Sequence, residues 1–172
     1  MQLGILGGGQ LGRMLALAGY PLGVSSTVLE PSTGSSAAQV CGHIAGEFND
    51  LQALFKLAQA SDVVTFEFEN VPVESARWLA ERVPVYPPPG ALEVSQERLA
   101  EKRFFRSLGI PTPPFAPVDS EAEFRAAVRD LGLPAVLKTR RFGYDGKGQA
   151  VLRTPADAVV PVWTTSVPAA ES

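Results

Sequence analysis

The sequence predicts an α/β protein built on a parallel sheet, and three observations predict it. Short apolar runs alternate with segments of helical periodicity through residue 86, the pattern of a parallel sheet with covering helices. The first run leads into Gly7-Gly8-Gly9-Gln10-Leu11-Gly12, a G-x-G-x-x-G turn that opens a helix and brings backbone N–H groups up to a phosphate. The chain has 172 residues, 45% of them hydrophobic, and a net charge of -3, which suits a soluble protein with one or two cores and no need of a disulfide or metal staple.

The elements follow in order. Gln2 to Leu6 is a strand, and from Gln10 a helix carries Leu11, Met14, Leu15 and Ala18 on one face. A strand at Val24 to Leu29, a turn through Pro31 to Gly34, a small-residue helix near Ser35 to Val40 and a short strand at His43 to Ala45 come next. Asp50 suits the N-cap of a helix to Ala60, with Leu51, Leu54, Phe55 and Ala58 spaced as a buried stripe. Val63 to Phe68 reads as a strand, Val73 to Glu81 as a helix and Val83 to Tyr86 as a short strand.

Pro87-Pro88-Pro89-Gly90 is a stop and a domain boundary, giving a first domain at 1–90 and a second at 91–158. Beyond it a long helix from Ala91 to Leu108 ends at Gly109, and the proline-spaced run Pro111 to Pro117 is an extended connector. Asp119 or Ser120 caps a helix to Leu131, and Ala135 to Thr139 is a strand. A glycine-rich loop, Arg140 to Gly148, turns into a return strand at Gln149 to Arg153. Residues 159–172 have no clear period and read as an irregular tail.

Composition excludes several classes. A single Cys41 and a single His43 cannot build a Cys/His zinc cluster or an internal disulfide, and they read as a buried or half-buried neutral pair. No apolar stretch is long enough to span a membrane and no signal peptide opens the chain, so it is read as cytoplasmic. A pI near 5.2 argues against a nucleic-acid binder. Charge is uneven: residues 1 to 97 carry 4 basic and 10 acidic side chains, residues 98 to 172 carry 11 and 8. The second part is where an anion is expected.

Four groups of residues carry candidate chemistry. Gly9, Gln10 and Leu11 lie in the glycine turn, and Glu30 closes the second strand where a dinucleotide enzyme keeps a ribose-binding carboxylate. Taken alone these favour NAD, or a turn that merely lets helix and strand pack closely. Glu67 and Glu69, at the end of a strand, fall on one face and can accept ribose hydroxyls, or be a solvated pair. Arg140 to Gln149, with Gly143, Gly146, Lys147 and Gly148, is a flap able to close over a triphosphate, or an ordinary basic hairpin turn. Lys138 on the preceding strand can meet phosphate oxygens, as can Arg98, whereas Lys102 reads as structural or solvent-facing.

Gly-Gly-Gly-Gln-Leu-Gly-Arg-Met at 7–14, Glu-Phe-Glu-Asn at 67–70, Gln-Glu-Arg-Leu-Ala-Glu-Lys at 96–102, Gly-Ile-Pro-Thr-Pro at 109–113 and Lys-Thr-Arg-Arg-Phe-Gly-Tyr-Asp-Gly-Lys-Gly-Gln at 138–149 together resemble the N5-carboxyaminoimidazole ribonucleotide synthases, a family of ATP-grasp ligases of purine biosynthesis. The likeness runs from residue 1 to about 158. It implies a Rossmann-like pre-ATP-grasp domain followed by the beginning of an ATP-grasp domain, incomplete at its C-terminus.

The reaction it implies uses ATP and bicarbonate to form carboxyphosphate, which carboxylates the amine of 5-aminoimidazole ribonucleotide and leaves ADP and phosphate. By matching positions, Arg98, Lys138, Gly143, Tyr144, Asp145, Gly146, Lys147, Gly148 and Gln149 would hold ATP. Tyr144, Asp145 and Lys147 would also lie near the reacting nucleotide and serve catalysis. Gly9, Gln10, Leu11 and Glu67 would hold the ribonucleotide, which moves the glycine turn from NAD to a substrate phosphate. Mg²⁺ is implied as cofactor, with its ligands beyond this chain, and a homodimer is implied as the assembly. Lys147 stands where the family often has Arg, which keeps the charge without the bidentate fork. A chain ending here is expected to turn over weakly or not at all by itself. An NAD-dependent oxidoreductase and a non-catalytic nucleotide-binding module are the other two readings.

Overall fold

The computed structural model describes residues 1–143 and 146–158, in two compact units, Met1–Gln96 and Glu97 onward.

In the first unit β1 (Gln2–Leu6), β2 (Ser25–Glu30), β3 (Gly42–Ala45) and β4 (Val63–Phe66) form one parallel sheet in the order β3-β2-β1-β4. The helices α1 (Gln10–Gly19), α2 (Leu51–Gln59), α3 (Val73–Ala80) and α4 (Pro89–Ser95) complete it. Because alternate residues of a strand point to opposite faces, Leu6 and Leu29 enter one core with Leu54, Leu57, Val64, Val71, Leu79 and Leu92, while Ile5 and Val28 enter the other with Ala37. Full burial of each large side chain contributes about 1.5–3 kcal/mol. The strands β1, β2 and β4 end at one edge, in Gly7, Pro31 and Glu67.

The structure departs from several sequence expectations. The face of α1 that carries Leu11, Met14, Leu15 and Ala18 points outward, and the buried residues are Gly12 and Ala16. The buried stripe of α2 is Ala53, Leu54 and Leu57, while Leu51 and Phe55 are exposed. Residues 35–40 form only a short 3-10 turn at Ala37–Gln39, and Val83 to Tyr86 contributes a single parallel bridge, Val64 to Val85.

The prolines do not end the first unit. Pro88 is the N-cap of α4 and Pro89 its first residue, a position where a missing N–H costs nothing. Leu92 of α4 is fully buried in the first core, Arg77 pairs with Glu93 at 2.7 Å, and the Gln96 amide donates to the carbonyls of Glu69 and Val71. These contacts carry the unit to Gln96, beyond the boundary expected at residue 90. The long helix expected from Ala91 to Leu108 is therefore two helices. Glu97 is extended between them and caps the second through its carboxylate, which accepts from Leu99 N and Ala100 N.

The second unit holds α5 (Arg98–Ser107), α6 (Glu121–Leu131) and the antiparallel pair β5 (Ala135–Lys138) and β6 (Gln149–Leu152). Gly109 follows α5 at φ 73°. Ser120 Oγ accepts from Glu123 N while the Glu123 carboxylate accepts from Asp119 N, a reciprocal box that fixes the start of α6. The Lys102 and Arg106 cations lie 5.2 and 4.1 Å from the ring centroid of Phe115, so Lys102 is a structural contact.

Candidate functional site: a glycine turn and a glycine flap

The glycine turn of the first unit is held by two carboxylates. Gly8 N donates to Glu30 Oε2 at 3.0 Å, Gly9 N to Glu67 Oε1 at 2.6 Å, and Gly12 N to Glu67 Oε2. β4 stops at Phe66, so the period of two does not continue to Glu67 and Glu69. Instead Glu67 turns into the first turn of α1, where a negative charge complements the helix N-terminus, and Glu69 is exposed. Glu30 also accepts from Ser32 N at 3.2 Å. Its carboxylate is thus engaged on the turn rather than open to a ribose, which removes the support it lent to an NAD site.

What remains open is specific. The N–H groups of Gln10 and Leu11, the first two of α1, have no acceptor among the described residues, and both residues are exposed. They are the donors a phosphate would meet, because the first amides of a helix lack intrahelical partners. Gly9 shares in the turn but spends its own amide on Glu67. Beside them a cleft of about 360 Å³ is lined by Gly8, Gly9, Glu30, Ser35, Glu67 and the mutually T-shaped rings of Phe48 and Phe68, among others. Carboxylates and aromatic side chains of this kind suit a polar ring-bearing ligand.

Glycine is required here for space. A Cβ at Gly12 would stand 2.7 Å from Glu67 Oε2 and 3.0 Å from the Gly7 carbonyl oxygen, and Gly7 itself has φ 106°. The sequence pattern located these glycines. It did not show that Glu67, 55 residues further on, completes the turn.

In the second unit Lys138 is exposed at the end of β5, and β6 returns from the flap with Gln149 opposite it. Thr139 N donates to the Gly148 carbonyl at 2.8 Å and closes the flap at its base. Gly146 and Gly148 have φ 81° and 68°, which side chains other than glycine's rarely adopt. Arg98, at the start of α5, donates through its side chain to the Gly143 carbonyl at 2.9 Å and through its backbone to Arg140 at 3.0 Å. Arg140 is held by Asp119 at 2.5 Å and Glu97 at 3.9 Å. Arg98, Lys138, Gly143, Lys147, Gly148 and Gln149 therefore lie on one helix start and one hairpin. Tyr144, Asp145 and the tail at 159–172 lie outside the described residues. Cys41 donates to Ala37 O at 3.2 Å and His43 Nε2 meets Glu30 O at 2.8 Å, and burial pushes the Cys41 thiol up. They serve the fold beside the site.

A parallel sheet with a carboxylate-held glycine turn, joined in sequence to a helix and a basic glycine flap, defines the class: an α/β protein of the preATP-grasp and ATP-grasp type. A family model of the ribonucleotide synthetase preATP-grasp domain matches residues 1–96, and one of the ATP-grasp domain matches residues 103–167. The chain belongs to the ribonucleotide synthetase preATP-grasp family.

Among known relatives, N5-carboxyaminoimidazole ribonucleotide synthase of Pseudomonas aeruginosa is 54% identical over 157 residues, which are 91% of this chain and 44% of that protein. The Bacillus subtilis protein of the same name is 41% identical and covers 90% and 41%. The crystal structure of the Thermus thermophilus synthetase superposes with a TM-score of 0.82 at 56% identity, over 91% of this chain and 42% of that one. The synthase of Aspergillus clavatus in complex with ADP and 5-aminoimidazole ribonucleotide gives 0.80 at 31% identity, over the same shares. The chain thus spans less than half the length of the relatives it matches.

Proposed function

We propose that this chain is the N-terminal portion of an N5-carboxyaminoimidazole ribonucleotide synthase, and that the whole protein joins bicarbonate to 5-aminoimidazole ribonucleotide at the expense of ATP. The single observation that carries the reading is the 54% identity to the Pseudomonas aeruginosa synthase across both units. In the first unit the Gln10 and Leu11 amides receive the phosphate of the ribonucleotide. Glu67 keeps the turn in shape for it by holding Gly9 and Gly12, and its free lone pairs face the cleft that the ribose would enter.

In the second unit the residues fit a nucleotide triphosphate. Lys138 supplies a fixed positive charge, and the turn at Gly146 and Gly148 presents backbone donors without side chains in the way. Arg98 positions the base of the flap through Gly143, and Gln149 and Lys147 close the nucleotide in from the other side. Tyr144 and Asp145 belong to this reading as residues near the reacting amine. ATP supplies the phosphoryl group that activates bicarbonate, and the chain's part is to bind, orient and exclude water. No group of three or more His, Cys, Asp or Glu among the described residues could hold a metal, so Mg²⁺ would arrive with the nucleotide phosphates and find its carboxylates elsewhere. No helix of the described residues is long and apolar enough to cross a membrane. The place of action in this reading is the cytoplasm, where ATP and the ribonucleotide meet.

Calorimetric titration of the 172-residue chain with 5-aminoimidazole ribonucleotide, and with NADH as control, tests the reading. Binding of the ribonucleotide alone is expected, with bicarbonate-dependent ATP hydrolysis weak or absent. Binding of NADH and not the ribonucleotide would sink it.

A further inference from the structure

Given the nucleotide reading of the second unit, on which this rests, we propose that Arg140 is a positioning residue: it clamps the base of the glycine flap to the starts of α5 and α6 and does not itself hold phosphate. In the sequence Arg140 stands in a basic cluster with Lys138, Arg141 and Lys147, side chains of the kind that meet phosphates. In the structure its guanidinium is already spent. Nη2 lies 2.5 Å from Asp119 Oδ1, and Nε lies 3.9 Å from Glu97 Oε1. Asp119 immediately precedes Ser120, the N-cap of α6, and Glu97 is the N-cap of α5. One planar fork thus spans two carboxylates from separate segments, and a phosphate brought to it would face two negative charges against one positive.

The backbone beside Arg140 carries the clamp into the flap. Its carbonyl accepts from Arg98 N at 3.0 Å, one of the first amides of α5, which lack a partner within the helix. The Arg98 guanidinium donates to the Gly143 carbonyl at 2.9 Å, and Thr139 N donates to the Gly148 carbonyl at 2.8 Å. The two limbs of the base have no slack between them. A Cβ at Gly148 would stand 2.5 Å from Thr139 Oγ1, and one at Gly143 would stand 3.0 Å from the same oxygen and 3.1 Å from the Lys147 carbonyl oxygen. A shift of Arg140 is therefore passed to Gly143 and Gly148 rather than absorbed. The Arg140 and Asp119 side chains are 41 and 64% exposed, so the ion pair alone adds little to stability. Its effect is read at the flap base and in nucleotide affinity. Asp119 separates the roles by sign. If Arg140 is a phosphate ligand, or acts through charge alone, removing the Asp119 charge tightens nucleotide binding; if Arg140 positions the flap, the same removal weakens it.

Amide exchange and titration with ADP and Mg²⁺, both followed by nuclear magnetic resonance on the isotope-labelled full chain, test this. The variants are Asp119→Asn, Arg140→Gln and Arg140→Lys, with Arg125→Gln as the control, which breaks the exposed Arg125–Glu121 pair of α6. Asp119 enters the α6 box through its backbone N, so the start of that helix survives Asp119→Asn. Without nucleotide, the Thr139 and Arg98 amides should exchange about fivefold faster in Asp119→Asn and Arg140→Gln, with the amides of β1 and β2 unchanged. ADP affinity should fall at least about threefold in both, and Arg140→Lys, which keeps the charge, should recover part of each loss. Tighter or unchanged ADP binding by Asp119→Asn, unchanged exchange at Thr139 and Arg98, or equal effects in Arg125→Gln would each overturn the proposal. If ADP shifts no resonance of the parent chain, the nucleotide reading falls and the proposal with it; if the parent and Asp119→Asn bind ADP alike, the proposal falls alone.

Discussion

Replacing Glu67 by Ala tests the central feature of the first unit, the carboxylate that ties the end of β4 to the start of α1. Its two oxygens accept from Gly9 N and Gly12 N. A part-buried hydrogen bond to a charged acceptor contributes about 1.5–3 kcal/mol, but the turn borders an open cleft and water can reach the vacated amides. Loss of an N-cap, about 1–2 kcal/mol, is then the better scale, with about 0.5 kcal/mol more for the lost charge at the helix N-terminus. We expect a loss of about 2 kcal/mol. For a unit of this size that lowers the melting temperature by about 8–16 °C, and the urea midpoint by about 1 M at an unchanged slope.

The assay is urea denaturation of the full chain followed by circular dichroism, with Glu67→Gln beside it. The amide keeps one acceptor oxygen and loses the charge, so it should fall about midway. Inorganic phosphate should stabilise Glu67→Ala more than the parent, because the alanine variant leaves the turn amides of Gly9 and Gly12 open to the anion along with those of Gln10 and Leu11. A loss under about 0.5 kcal/mol for Ala, with no added response to phosphate, would refute the view that Glu67 builds the turn.

Two further predictions follow from the same turn and from the half-buried thiol. Gly12→Ala should destabilise by about 1–3 kcal/mol through overpacking against the Gly7 carbonyl and Glu67, whereas helix propensity alone predicts a gain of about 1 kcal/mol; the sign of the shift in a denaturation curve decides between them. Burial holds the Cys41 thiol above its ordinary value, against a smaller lowering by the Val28 backbone. Its folded pKa lies above the unfolded one, so the stability it contributes is fully present below the unfolded value and fades as pH rises through the folded one. Between about pH 8.5 and 10.5 the parent should therefore lose more stability than Cys41→Ser, and equal losses would show that Cys41 is as wet in the folded chain as in the unfolded one.

How much of this was legible in the sequence varies by element. The glycine turn, the strand before it and the helix after it could be placed because glycine is the residue a tight strand-to-helix turn requires, and Asp50 at the head of α2 because its short carboxylate accepts from Gln52 N and Ala53 N. The flap was legible for a similar reason, as glycines at left-handed positions between two apolar runs. Glu97 was not, since glutamate in a run of helix formers reads as helix interior until the backbone is seen to extend there and the carboxylate to fold back onto α5. Nor were the prolines at 87–89, which punctuate a sequence equally whether they close a domain or open its last helix.

By itself the sequence determined the order of elements, the alternation that makes the sheet parallel, and the places where only glycine fits, because these depend on residues close together in the chain. Tertiary structure alone decided which side of α1 is covered and which carboxylate occupies its first turn. Periodicity shows that Leu11, Met14, Leu15 and Ala18 share a face, but the narrow space above the sheet admits only Gly12 and Ala16, so the large side chains turn outward. Gly12 and Glu67 meet across 55 positions, a distance that no local pattern spans and that the pairing of β1 with β4 closes.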